Sequence, residues 1–71
     1  MTIETDDATI AGQFFIGWKL DNARLAAEES GWIIRVTTRD GVSQIGTADM
    51  RDNRLNVEVE NGKITKYVGN G

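Results

Sequence analysis

Arg54-Leu55-Asn56-Val57-Glu58-Val59-Glu60 alternates polar and apolar side chains without a break and runs through Asn61-Gly62 into Lys63-Ile64-Thr65-Lys66-Tyr67-Val68. Successive side chains of a strand point to opposite faces. This period of two therefore predicts a half-buried strand with Leu55, Val57 and Val59 toward the core and Arg54, Asn56, Glu58 and Glu60 away from it. Asn-Gly between two such runs is the strongest short hairpin signal, because both residues tolerate the positive φ of a type I′ turn. Residues 63–68 are expected to fold back antiparallel as the next strand.

Upstream, Trp32-Ile33-Ile34-Arg35-Val36-Thr37-Thr38 is dense in β-branched and aromatic residues and predicts a strand over 32–38, with Trp32, Ile34 and Val36 on one face. Before it, Leu20, Ala23 and Ala27 recur at helical spacing, a stripe of mostly small side chains that lets a helix sit close on a sheet. Asp21 suits the positive start of that helix, and Ser30-Gly31 supplies its stop. Ala11 to Trp18, with Phe14-Phe15-Ile16 closed by Gly17, is expected to be a short extended segment. Residues 1–9 are polar and without period, so they are expected to form a flexible lead-in to a single domain spanning 10–71.

Between the strand at 32–38 and the strand at 54–60 lie residues 39–53, which show no helical period and few β-branched residues. Loops longer than about 12–15 residues are uncommon in compact domains and are usually functional or disordered, so this segment is the place to look for function. A long connection from the end of one strand to the start of the next predicts that these two strands are parallel. The expected fold is α+β: one helix packed on a small mixed sheet, parallel plus antiparallel, with a long exposed binding loop.

Composition removes most chemistry. The 71 residues contain no Cys and no His, which excludes disulfides, thiolate and imidazole metal sites, thiol nucleophiles and every triad that uses His as base. Neither enzymatic activity nor a cofactor is expected. Net charge is −3 and the eight Lys and Arg are scattered, so no basic stripe stands ready for a phosphate backbone and nucleic acid is not an expected partner. No window approaches membrane-spanning length, and the first residues lack the charged and apolar pattern of an export signal. A soluble monomer is expected, with cytoplasmic and mature secreted forms both open. Trp18 and Trp32 read as packing residues, since a domain this small needs large apolar area.

Two patterns in the loop mislead. Gly41-Val42-Ser43-Gln44-Ile45-Gly46-Thr47 has the glycine spacing of a phosphate-cradling loop, but Thr47 stands where the lysine must be. Asp49 and Asp52 are a pair of carboxylates, yet acid and base roles need a concave pocket that separates their pKa values, and a loop tip rarely provides one. What remains is Thr47-Ala48-Asp49-Met50-Arg51-Asp52-Asn53-Arg54-Leu55-Asn56-Val57, a loop with one small tip residue running into a strand that carries Arg54 and Asn56 on one face. From there both side chains could reach back to the loop. A guanidinium fork gives several charge-assisted hydrogen bonds at once, so Arg54 could hold the Asp49 carboxylate, the Thr47 hydroxyl and loop carbonyls without a disulfide.

This Thr-x-acid-x-Arg-x-x-Arg-Leu pattern resembles the binding loop of the potato inhibitor I family of serine-protease inhibitors, including its bacterial and fungal relatives. Ile16-Gly17-Trp18-Lys19-Leu20-Asp21-Asn22-Ala23-Arg24 is similar to the start of the helix in those proteins, and Ile33-Ile34-Arg35-Val36 resembles the strand leading to their loop. The resemblance covers roughly residues 14 to 69. It implies Ala48-Asp49 as the reactive bond, with Ala48 at the primary specificity position and Gln44, Ile45, Gly46, Thr47 and Met50 completing the protease-binding loop. Arg51, Arg54 and Asn56 would support that loop, Asn56 standing where the plant proteins carry a second arginine. The implied partner is a subtilisin-like or elastase-like serine protease, since a small tip residue suits a small or permissive pocket. The alternative is a non-inhibitory protein-binding module of the same fold.

Overall fold

The computed structural model describes residues 7–44 and 51–71. Two helices, α1 (Asp7–Phe14) and α2 (Leu20–Glu29), precede four strands, β1 (Ile33–Arg39), β2 (Val42–Ser43), β3 (Arg54–Glu60) and β4 (Lys63–Asn70). The strands form one sheet in the order β2-β1-β3-β4, with β1 and β3 parallel and the outer pairs antiparallel. This is the small mixed α+β fold the sequence predicts, with one helix more.

The β3–β4 hairpin turns through Asn61 at φ 51° and Gly62 at φ 77°, the left-handed pair that an Asn-Gly turn supplies at least cost. Leu55, Val57, Val59 and Ile64 are at most 1% exposed, so the alternation along β3 sorts as expected. Together with Phe15, Leu20, Ala23, Ala27, Ile34 and Val36 they make one core, and Trp18, Trp32 and Tyr67 pack against it. Burying each of the larger aliphatic side chains contributes about 1.5–3 kcal/mol, the main return available to a domain without a disulfide.

α2 starts without a side-chain cap. Its position is set by backbone instead: the Leu20 N–H donates to the Gly62 carbonyl at 2.8 Å, the Gly17 N–H to the Ile64 carbonyl at 2.7 Å, and the Ile64 N–H to the Trp18 carbonyl at 2.9 Å. The helix is thereby fastened to the hairpin turn before its small-residue stripe meets β1. Ser30-Gly31 ends it as expected, with Gly31 at φ 85°.

Four expectations are corrected. Residues 7–9 belong to a helix rather than to a lead-in, and Ala11 to Phe14 continue it rather than running extended. The buried face of α1 is Ala8 and Gly12, both small, while Ile10 and Phe14 are more than half exposed. Hydrophobic periodicity cannot register a face of that kind. The first strand begins one residue later than expected, with Trp32 half-buried ahead of it. The stretch 39–53 is not all loop either: Asp40 at φ 51° and Gly41 at φ 81° make a second two-residue turn, and Val42–Ser43 pair back onto Arg39 and Thr38. The two turns are joined, since Asp40 Oδ1 accepts the Asn61 N–H at 2.8 Å and the Asp40 N–H donates to the Val59 carbonyl at 2.9 Å.

Candidate functional site

The segment that the sequence singles out is flanked by Gln44, the last residue described before it, and by Arg51, the first described after it. Ile45, Gly46, Thr47, Ala48, Asp49 and Met50 lie outside the described residues; what the structure gives is the chain on either side of them, a leading foot that ends at Gln44 and a returning foot that starts at Arg51.

The leading foot is an extension of the β1–β2 hairpin. The Gln44 N–H donates to the Thr37 carbonyl at 2.8 Å, adding one rung beyond the Ser43–Thr38 pair, and its side-chain Nε2 donates to the Val42 carbonyl at 3.1 Å. Thr37 is the extra residue of a bulge between β1 and β3, and its hydroxyl donates to the Val57 carbonyl at 3.2 Å. A bulge locally disrupts a ladder. Here the bulged residue keeps a hold on both neighbouring strands, so Gln44 is tied to a fixed point.

The returning foot is more heavily tethered. Residues 51–54 form a turn closed by the Arg54 N–H on the Arg51 carbonyl at 3.3 Å. The Asp52 carbonyl accepts from the Asn70 side-chain amide at 2.6 Å, and the Asn53 carbonyl accepts the Ile33 N–H at 2.8 Å. The Arg54 carbonyl accepts both the Asn70 amide at 3.0 Å and the Gly71 N–H at 3.1 Å. Four consecutive carbonyls are thus engaged. The Asn53 side chain adds a long bond to the Gly31 carbonyl at 3.4 Å, reaching to the end of α2.

Of the residues expected to support the loop, Arg51 is exposed at the head of this turn, whereas Arg54 is buried at 8% exposure. Its strand position faces away from Leu55, as predicted, yet that side is covered: alternation tells which side a residue faces, not whether that side is buried. Arg54→Ala is accordingly expected to destabilise the fold by about 1–3 kcal/mol in urea denaturation. A loss within the few tenths typical of an exposed cation would mean that its burial carries no weight.

Asn56 is half-buried beside Arg35 of β1, its partner in the parallel register, and opposite Gly69 of β4. Among the described residues its buried Oδ1 has no donor, and no hydrogen bond joins it to Gln44 or to the turn at 51–54. Asp52, one of the paired carboxylates, is exposed and is not among the residues lining the cleft of about 440 Å³ between the start of α2 and the β3–β4 turn, where Lys19, Asp21, Arg39 and Lys63 gather. Sequence reasoning missed Asn70, Ile33 and Asn53 as parts of the site. Comparison with family models, with curated proteins and with solved structures finds no match to this chain.

Proposed function

We propose that this chain inhibits serine proteases by presenting residues 44–50 as a substrate-like strand, with Ala48-Asp49 as the bond offered. The observation that supports this reading is the tethering of both ends of the segment to the sheet, above all the four engaged carbonyls of Arg51, Asp52, Asn53 and Arg54. A segment held at both ends loses less conformational entropy on docking, so more of its interaction energy appears as affinity. An extended peptide laid along the edge of a protease cleft gains backbone hydrogen bonds in the manner of an added strand, with side chains alternating into pockets.

On this reading the feet do the inhibiting. Attack on the Ala48 carbonyl would release an amine at Asp49 that stays covalently joined to the turn at 51–54. Because that turn is bound to β1 and β4, the amine remains beside the acyl group instead of diffusing away. Religation then competes with hydrolysis. The leading side is held by the rung between Gln44 and Thr37. Ala48 fits a small primary pocket, which favours elastase-like and subtilisin-like enzymes over trypsin, and Ile45 would occupy a second apolar pocket. The resemblance of 47–57 to the potato inhibitor I loop supports the same reading.

The test is a progress-curve assay of the 71-residue chain against subtilisin, pancreatic elastase, chymotrypsin and trypsin, with the products followed by mass. Tight inhibition of subtilisin or elastase is expected, with one slow cut at Ala48-Asp49. Rapid cleavage at several bonds, or a folded chain that slows none of the four, would overturn the reading and leave a non-inhibitory binding module.

A further inference from the structure

Asn70 closes β4, paired through its backbone with Leu55, and its carboxamide makes the two side-chain bonds that join the returning foot to β4. Both acceptors are carbonyl oxygens, Asp52 at 2.6 Å and Arg54 at 3.0 Å, so only the amide nitrogen can face them and the orientation of the group follows from its chemistry. One planar NH2 spends both protons on positions two residues apart in the same turn. Asp52 has no other donor to its carbonyl among the described residues, whereas the Arg54 carbonyl also receives the Gly71 N–H.

We infer that Asn70 is a positioning residue, the clasp that keeps the leaving side of the reactive segment in register with the sheet. Its functional consequence rests on the inhibition reading above; its structural consequence does not. Without the clasp, the turn retains the 3.3 Å bond that closes it, the Ile33–Asn53 bond, the Gly71–Arg54 bond and the long contact of Asn53. Asp52 can then swing out with the peptide plane that joins it to Asn53, loosening the turn next to the loop. The alternative is an exposed amide that merely decorates an edge strand, as many polar side chains do.

The decisive variant is Asn70→Asp, which keeps the shape, removes both N–H donors and sets a carboxylate against two carbonyl oxygens. Asn70→Ala removes the donors without the charge. Asn70 is exposed, so both variants are expected to fold, and urea denaturation of each checks this. Two readouts are taken on the full chain. The first is amide hydrogen exchange at Ile33 and Arg54, whose N–H groups report the turn, with Ala23 and Val57 as references. The second is the inhibition constant and the cleavage rate at Ala48-Asp49 for the protease that the wild type inhibits.

Losing two hydrogen bonds corresponds to about 10- to 100-fold, so exchange at Ile33 and Arg54 is expected to accelerate by that range in both variants while the reference amides hold still. Inhibition is expected to weaken, and cleavage to quicken, by a similar factor. Unchanged exchange at Ile33 and Arg54 would overturn the clasp itself. Accelerated exchange with inhibition and cleavage unaltered would overturn its role in positioning the bond. Accelerated exchange in a chain whose wild type inhibits nothing would support the clasp and overturn the inhibition reading, so the two failures are told apart.

Discussion

On the proposed inhibition reading, Ala48→Arg is expected to turn the chain into a trypsin inhibitor, tightening binding to trypsin by about 1,000-fold or more and weakening binding to elastase by a comparable factor. The single side chain that enters a protease's primary pocket is the centre of the interface, the fully desolvated position where truncation or replacement costs about 2 kcal/mol and up to 4–8 kcal/mol. A thousandfold corresponds to about 4 kcal/mol, within that range. Alanine leaves the deep pocket of trypsin empty and its carboxylate unpaired, while arginine fills the pocket and meets the carboxylate with a fork of matching geometry. The same arginine cannot enter the small pocket of elastase. Subtilisin, with a permissive pocket, is expected to change least. The measurement is the panel of inhibition constants for both proteins side by side. A profile that keeps its shape after the substitution would remove Ala48 from the reactive position, even if wild-type inhibition stood.

That prediction comes from local sequence, and so does much of the scaffold. β3, the Asn61-Gly62 turn and β4 could be read because period-two alternation and turn chemistry agree over consecutive residues, and α2 because its stripe ends where Gly31 can adopt a positive φ. The parallel pairing of β1 with β3 followed from connection length alone. What escaped reading has a common physical cause, the lack of a local pattern. Val42–Ser43 is too short a strand to show a period, so the Asp40-Gly41 turn went unread although it uses the same positive-φ chemistry as Asn61-Gly62. Gln44, read as part of the protease-binding loop, and Arg51 and Arg54, read as its supports, all fall on the described residues that flank 45–50. Asn70 acts across 18 residues of sequence on Asp52, and Ile33 donates its N–H to the Asn53 carbonyl in a backbone bond that no side-chain pattern encodes.

α1 is the element that sequence reading lost, and it carries the largest stability prediction: Gly12→Val is expected to destabilise the fold by about 3 kcal/mol or more. Gly12 is a buried helical residue seated on Tyr67, and a Cβ built on it lands on one edge of the ring, nearest Cδ1 and equally close to Cε1 and to Cγ, the last of which lies on the ring's own rotation axis. The ring cannot swing clear by rotating its tip. Tyr67 is paired with Val57 in the middle of the sheet, so relief requires α1 to lift away from β4 and β3, on which it packs. A domain of this length holds about 4–10 kcal/mol in total, and each kcal/mol lowers the melting temperature by about 4–8 °C, so thermal unfolding will read the change easily. A cycle with Tyr67 identifies the cause. Alanine is the better helix former by about 1 kcal/mol, so Gly12→Ala ought to stabilise an unhindered helix. In the wild-type background it is expected to destabilise, because the new methyl meets the ring. In a Tyr67→Ala background, already weakened by loss of the ring, the same substitution is expected to reverse sign and stabilise by up to about 1 kcal/mol. If Gly12→Ala stabilises both backgrounds alike, α1 does not rest on Tyr67, and its docking has to be sought through Ala8 and the core beneath it.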